Sequence, residues 1–102
     1  MRVLLAEDDQ ALRSLLAEML AGADCEVVEA GSGDAAALLV DGPDEFDVLV
    51  TDIHMPGRLD GLGLGRRFRA RHARHPILYM TGRPEAMRGV RLRADREALL
   101  FK

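Results

Sequence analysis

Apolar positions follow two alternating rhythms along the chain. Residues 1–6 (MRVLLA), 25–30 (CEVVEA), 46–51 (FDVLVT), 76–81 (PILYMT) and 98–101 (ALLF) are short apolar runs that read as strands. Between the first two, Leu12, Leu15, Leu16, Met19 and Leu20 recur at helical spacing until Gly22 stops them, and these five are expected in the core. Gly31-Ser32-Gly33 marks a turn, residues 34–41 form an Ala/Leu-rich helix, and Gly42-Pro43 closes it. A third helix is predicted from Asp60 to about Ala73, with Leu64 and Phe68 on one face. Residues 84–90 make a weak, Arg-punctuated fourth helix.

Strands alternating with helices predict parallel βαβ units in one layered α/β sheet. The run at 46–51 is apolar enough to be buried on both faces. The pattern calls for a last helix after Phe101, and the sequence stops at Lys102. We therefore expect one domain over residues 1–102 that is C-terminally incomplete, with about 15 further residues sufficient for that helix. No repeat, low-complexity tract or interdomain linker interrupts it.

Composition narrows the class. A formal charge of −3 over 102 residues argues against nucleic acid or a membrane surface as the main partner. No apolar run approaches the ~20 residues of a bilayer span. Without a long apolar leader, the expected location is cytoplasmic. The single cysteine, Cys25, fits a reducing compartment and reads as a small core residue rather than a reactive thiol. The segment RRFRARHARH at 66–75 spreads its arginines around a helix with only Phe68 as an aromatic, which favours a solvated face over an RNA or DNA site. The chain holds thirteen Arg and one Lys, and that lysine is its last residue.

The chemistry gathers at the strand ends. In open parallel sheets, ligands bind beyond the carboxyl ends of the strands, where strand order reverses. The first predicted strand runs into Glu7-Asp8-Asp9, the third into Asp52, the fourth ends at Thr81 and the fifth runs into Lys102. Like charges brought together repel, so clustered carboxylates make sense around a hard divalent cation with oxygen ligands. Asp9 itself reads as the cap of the first helix. His54, two residues past Asp52, reads as a rim side chain, because no second His or Cys stands at a supporting spacing. Gly61, Gly63 and Gly65 do not form a dinucleotide fingerprint and read as loosening the start of the third helix.

The pieces LLAEDD (4–9), DVLVTDIHMPG (47–57), LDG (59–61), MTG (80–82) and Lys102 occur in this order along nearly the whole chain. In them the sequence resembles the receiver (CheY-like) domain of bacterial two-component response regulators. That resemblance implies a flavodoxin-like (βα)5 doubly wound parallel sheet of order 2-1-3-4-5, here without its last helix. It implies Asp52 as phosphoacceptor, taking a phosphoryl group from a histidine kinase or histidine phosphotransfer protein in a phosphorelay. It implies Mg²⁺ or Mn²⁺ held by Asp8, Asp52 and the backbone carbonyl of His54, with Glu7 acting through a water. Thr81 and Lys102 would each meet a phosphoryl oxygen. Catalysis would be limited to the domain's own phosphorylation and dephosphorylation.

The outer face of the first helix, with Gln10, Ala11, Ser14 and Glu18, is the expected kinase-docking surface, and a homodimer stays open. Three departures from the family pattern stand out. Leu99 replaces an aromatic common three residues before the lysine, the PGRLDG loop carries one extra residue, and the last helix is absent. Two other readings compete: a pseudo-receiver interaction scaffold, which would have lost Asp52, Thr81 or Lys102, and a metal-dependent aspartyl phosphohydrolase, which would want a carboxylate where His54 stands.

Overall fold

The computed structural model describes the backbone of residues 1–102 and the side chains of all but residues 84 and 86. Five parallel strands, β1 (Arg2–Ala6), β2 (Glu26–Ala30), β3 (Val48–Asp52), β4 (Ile77–Thr81) and β5 (Glu97–Phe101), form one sheet in the order β2-β1-β3-β4-β5. Three α-helices connect them: α1 (Gln10–Gly22), α2 (Gly33–Asp41) and α3 (Gly61–Arg71). This is the 2-1-3-4-5 receiver topology, with no helix after β5. The predicted fourth helix is reduced to a single 3₁₀ turn, Pro84–Met87. Pro84 and Gly89 bracket too short a stretch to propagate an α-helix, and Gly89 adopts a positive φ of 77°. No helix among the described residues is long and apolar enough to cross a membrane.

Each α-helix starts where a side chain caps it. Asp9, Ser32 and Asp60 accept hydrogen bonds from the backbone N–H of Leu12, Ala35 and Gly63 respectively. Pleating sends alternate strand residues to opposite faces. Leu4, Ala6, Leu49, Ile77 and Tyr79 join Phe46, Leu64 and Phe68 in the larger core cluster, under α2 and α3. Val3, Leu5, Val50 and Met80 form the smaller cluster on the other face, where Leu16, Leu20 and half-buried Cys25 pack.

That second face corrects one expectation. No residue of α1 is fully buried, and Leu15 and Met19 are 53% and 63% exposed. The periodicity marks the correct apolar stripe, but α1 covers only its own part of the sheet. On the β5 side of the same face Leu100 is 50% exposed.

The glycines of α3 also differ from the sequence reading. Gly61, Gly63 and Gly65 are all buried and face inward. A Cβ on Gly61 would overlap the carbonyl oxygen of Asp52, and one on Gly65 would overlap the Tyr79 hydroxyl. Gly61 and Gly65 therefore set how closely α3 approaches β3 and β4, a Cβ on Gly63 would crowd the Leu59 side chain, and the three do not merely loosen a helix start.

Candidate phosphoacceptor site

Register brings the polar strand ends together. Ala6 of β1 pairs with Thr51 of β3, so Glu7 and Asp52 stand side by side at the carboxyl edge. Asp52 is the last residue of β3, one position further into the strand than the apolar run suggested. The backbone N–H of Ile53 donates to the Met80 carbonyl at 2.9 Å and that of Gly61 to the Ile53 carbonyl at 2.8 Å. Asp52 is thus clamped between β4 and the first residue of α3. Its backbone is fixed before its side chain does anything.

Carboxylate oxygens of Glu7, Asp8 and Asp52 all lie within 4.8 Å of one another. Glu7 is fully buried, Asp52 is 5% exposed and Asp8 opens to solvent. The lysine that ends the chain reaches into this cluster. Lys102 Nζ donates to Glu7 Oε1 at 2.7 Å and stands 3.1 Å from Asp52 Oδ2. Its backbone N–H extends the β4–β5 ladder by donating to the Thr81 carbonyl at 2.8 Å, which fixes the root of the side chain.

The electrostatics follow from burial and charge. Burial raises the Glu7 pKa above its ordinary value, although the Lys102 ammonium and the Asp9 N–H work in the opposite direction. Burial pulls the Lys102 pKa down, but the hydrogen bonds to Glu7 and Asp52 outweigh it and the net shift is upward. The ammonium therefore stays charged at neutral pH. One cation faces three carboxylates, and an all-oxygen donor set of this kind suits a small, hard divalent ion. Both Glu7 oxygens already accept protein donors, from Lys102 and from the Asp9 N–H at 3.1 Å, which leaves Asp8 and Asp52 the freer of the three.

Thr81 is fully buried at the end of β4. Its hydroxyl accepts from the Arg83 N–H at 2.9 Å and donates to the Arg83 carbonyl at 3.1 Å, so it is engaged within its own loop and not with Asp52 or Lys102. The His54 side chain is exposed and lines an open groove of about 590 Å³ beside the cluster, with Pro56, Arg58, Asp60 and Arg66. In the PGRLDG loop the Arg58 N–H ties back to Asp34 at 3.1 Å. Leu99 is half-buried and packs against the larger core cluster. The structure thus gathers Glu7, Asp8, Asp52 and Lys102, places Thr81 on the adjacent strand and leaves His54 at the rim.

Sequence reasoning missed Gly61 as a determinant of the site. Its signal was available in the Leu-Asp-Gly sequence directly after the Asp52 loop, but the contact with the Asp52 carbonyl needs the fold to be seen.

A family model described as the response regulator receiver domain matches residues 3–102. The chain belongs to this family. The DNA-binding transcriptional regulator NtrC of Salmonella typhimurium is 41% identical over 81 residues, a match spanning 78% of this chain and 16% of NtrC. The chain therefore corresponds to a small part of that relative. Among solved structures, the receiver domain of the hybrid histidine kinase CckA superposes with a TM-score of 0.81 at 28% identity, covering 100% of this chain and 85% of the other. The response regulator TrrA of Thermotoga maritima, solved with Mg²⁺–BeF, gives 0.83 at 25% identity, covering 99% and 85%. Receiver domains act in two-component phosphorelays, and this chain carries the acidic cluster that such domains use for Mg²⁺.

Proposed function

We propose that this receiver domain accepts a phosphoryl group on Asp52 from a phosphohistidine of a kinase or phosphotransfer protein. The observation that carries the reading is the Lys102 ammonium 3.1 Å from Asp52 Oδ2, within a cluster of three carboxylates. In the transfer, an Asp52 oxygen attacks phosphorus, the P–N bond to histidine breaks, and the imidazole keeps the electron pair and gains a proton. The product is an acyl phosphate.

Phosphoryl transfer asks chiefly for alignment and neutralisation of charge on the phosphoryl oxygens. The β3–α3 clamp holds Asp52 for in-line attack, and Lys102 neutralises one oxygen. Asp8 and Asp52, with the His54 carbonyl, would hold Mg²⁺ or Mn²⁺, which when bound supplies further neutralising charge. Glu7, its oxygens already engaged, would act through a water. Thr81 would release Arg83 and donate its hydroxyl to the phosphoryl group, and the loop after β4 would rearrange. That movement is the proposed switch.

Acetyl phosphate with Mg²⁺ should add one phosphoryl group to the protein by intact-mass spectrometry, and Asp52→Asn should add none. Equal modification of the variant would dismiss Asp52 as the acceptor. No modification of either protein, with Mg²⁺ binding intact, would favour the scaffold reading.

A further inference from the structure

Charge is segregated across this molecule to a degree the net value of −3 conceals. Residues 1–57 hold thirteen Asp and Glu against two Arg, a net −11. Residues 58–102 hold four Asp and Glu against eleven Arg and Lys102, a net +8. The sheet order turns this division of the sequence into a division of space. Strands β2, β1 and β3 with α1 and α2 make the acidic side, and α3, β4, β5 and their connections make the basic one.

The two sides also differ in how their charges are used. On the basic side Arg66, Arg74, Arg83, Arg88, Arg91 and Arg93 are exposed and form no ion pair among the described residues. Glu18 on α1 and Asp24 before β2 are exposed on the acidic side and likewise unpaired, and Glu26 on the edge strand keeps only a 3.8 Å approach from Arg2. Arginine suits planar, bidentate pairing with carboxylates. A nucleic acid fits less well. Tyr79, Phe46 and Phe68 are buried, so the arginines are accompanied by one exposed Phe or Tyr among the described residues, Phe101 at the end of β5, too few to stack successive bases, and the segment carrying Arg83 to Arg93 offers no α-helix to enter a groove.

We propose that the domain associates head to tail with further copies of itself, the arginine-rich β4–β5 side of one copy docking on the acidic α1–β2 side of the next. Such contacts are heterologous, so association continues past a dimer unless a ring closes. They join exposed charges and are screened by salt, the Debye length being ~10 Å at 0.1 M.

Sedimentation velocity of the wild-type protein in about 20 mM salt should show a weight-average mass that rises continuously with concentration and returns to monomer in about 0.5 M salt. Arg88→Glu/Arg91→Glu/Arg93→Glu should be monomeric in low salt, as should Glu18→Lys/Asp24→Asn/Glu26→Lys. An equimolar mixture of the two variants should associate again, because each restores the charge the other has lost. Circular dichroism melts of each variant confirm that it folds; should either fail, Arg91→Glu and Glu18→Lys singly must each lower the low-salt mass. A monomer at every concentration overturns the proposal. So does association that salt does not weaken, which would assign it to the exposed Leu15, Met19 and Leu100. A mass that stops at a dimer, or a DNA duplex bound by the wild type while the protein alone stays monomeric, also overturns it.

Discussion

Lys102→Met is the most informative single change at the site. It keeps the length and apolar stem of the side chain and removes only the ammonium. Glu7, fully buried, and Asp52, 5% exposed, then lose their shared cation. Breaking one side of a buried ion pair costs ~3–5 kcal/mol, because the remaining charge stays buried without compensation. The lysine side chain is 27% exposed, so solvent recovers part of this, and about 3 kcal/mol is expected. For a domain of this size the melting temperature should fall by roughly 15 °C in EDTA.

Two further readings sharpen the test. Burial already raises the Glu7 pKa, and without Lys102 its carboxyl should take up a proton more readily still. A raised folded-state pKa gives stability that is present below the unfolded value, here 4.5, and lost as pH rises through the folded value. The deficit of the variant should therefore shrink as pH falls toward 4.5. Mg²⁺ should narrow it too, since a cluster with one cation fewer attracts the metal more strongly; at a hundred times Kd, Mg²⁺ stabilises a single site by about 2.7 kcal/mol. A variant melting within 2 °C of wild type in EDTA, or a gap that widens with Mg²⁺, would refute the view that Lys102 offsets the carboxylate charge.

The only tyrosine gives a clean optical probe. Burial, with Glu97 adding to it, pushes the Tyr79 hydroxyl up to about 12, so its ionisation followed at 295 nm should be centred there, and folding stability should drain away between pH 10 and that value; a midpoint near 10 with the fold intact would contradict its burial. Leu64→Ala should cost about 2–5 kcal/mol because the side chain is fully buried between α3 and the sheet, whereas Leu15→Ala, on the open flank of α1, should cost under 1 kcal/mol; denaturant melts that found the two equal would show that α1 is covered in solution.

Strand identity and the convergence of the acids and the lysine were readable from the residues, whereas the strand order came from the family resemblance. Apolar runs separated by amphipathic segments predict a parallel sheet, and polar residues at its strand ends converge on one edge. The failures share a physical cause, because each depends on what lies opposite a residue. Helical periodicity shows that Leu15 and Met19 share the stripe of α1 but not whether anything covers it. Glycine spacing in α3 shows weak helix propensity, while the contacts with Asp52 and Tyr79 that make small residues necessary arise only from tertiary packing. Glu97 went unremarked because it precedes an apolar run. It is nevertheless buried, pairs with Arg69 and accepts the Arg93 N–H at 2.9 Å.

Glu97 bears on how the proposed phosphorylation would be felt elsewhere. The chain between β4 and β5 is held at its far end by Glu97 and by the Arg96 guanidinium, which donates to the Ala73 carbonyl at 2.9 Å. At its near end, among the described residues, the side-chain tie is the Thr81 hydroxyl, bonded both ways to Arg83. Between them, Met87 and Leu92 rest only half-buried against the core. If Thr81 turns toward a phosphoryl group, the near tie is lost and the far one is untouched. The response would then be confined to residues 82–92, a segment without an α-helix to shift as a rigid body. Local rearrangement of a loop anchored at one end needs no aromatic partner on β5. That removes the difficulty posed by Leu99, which can remain packed in the core while the signal passes through the backbone beside Thr81.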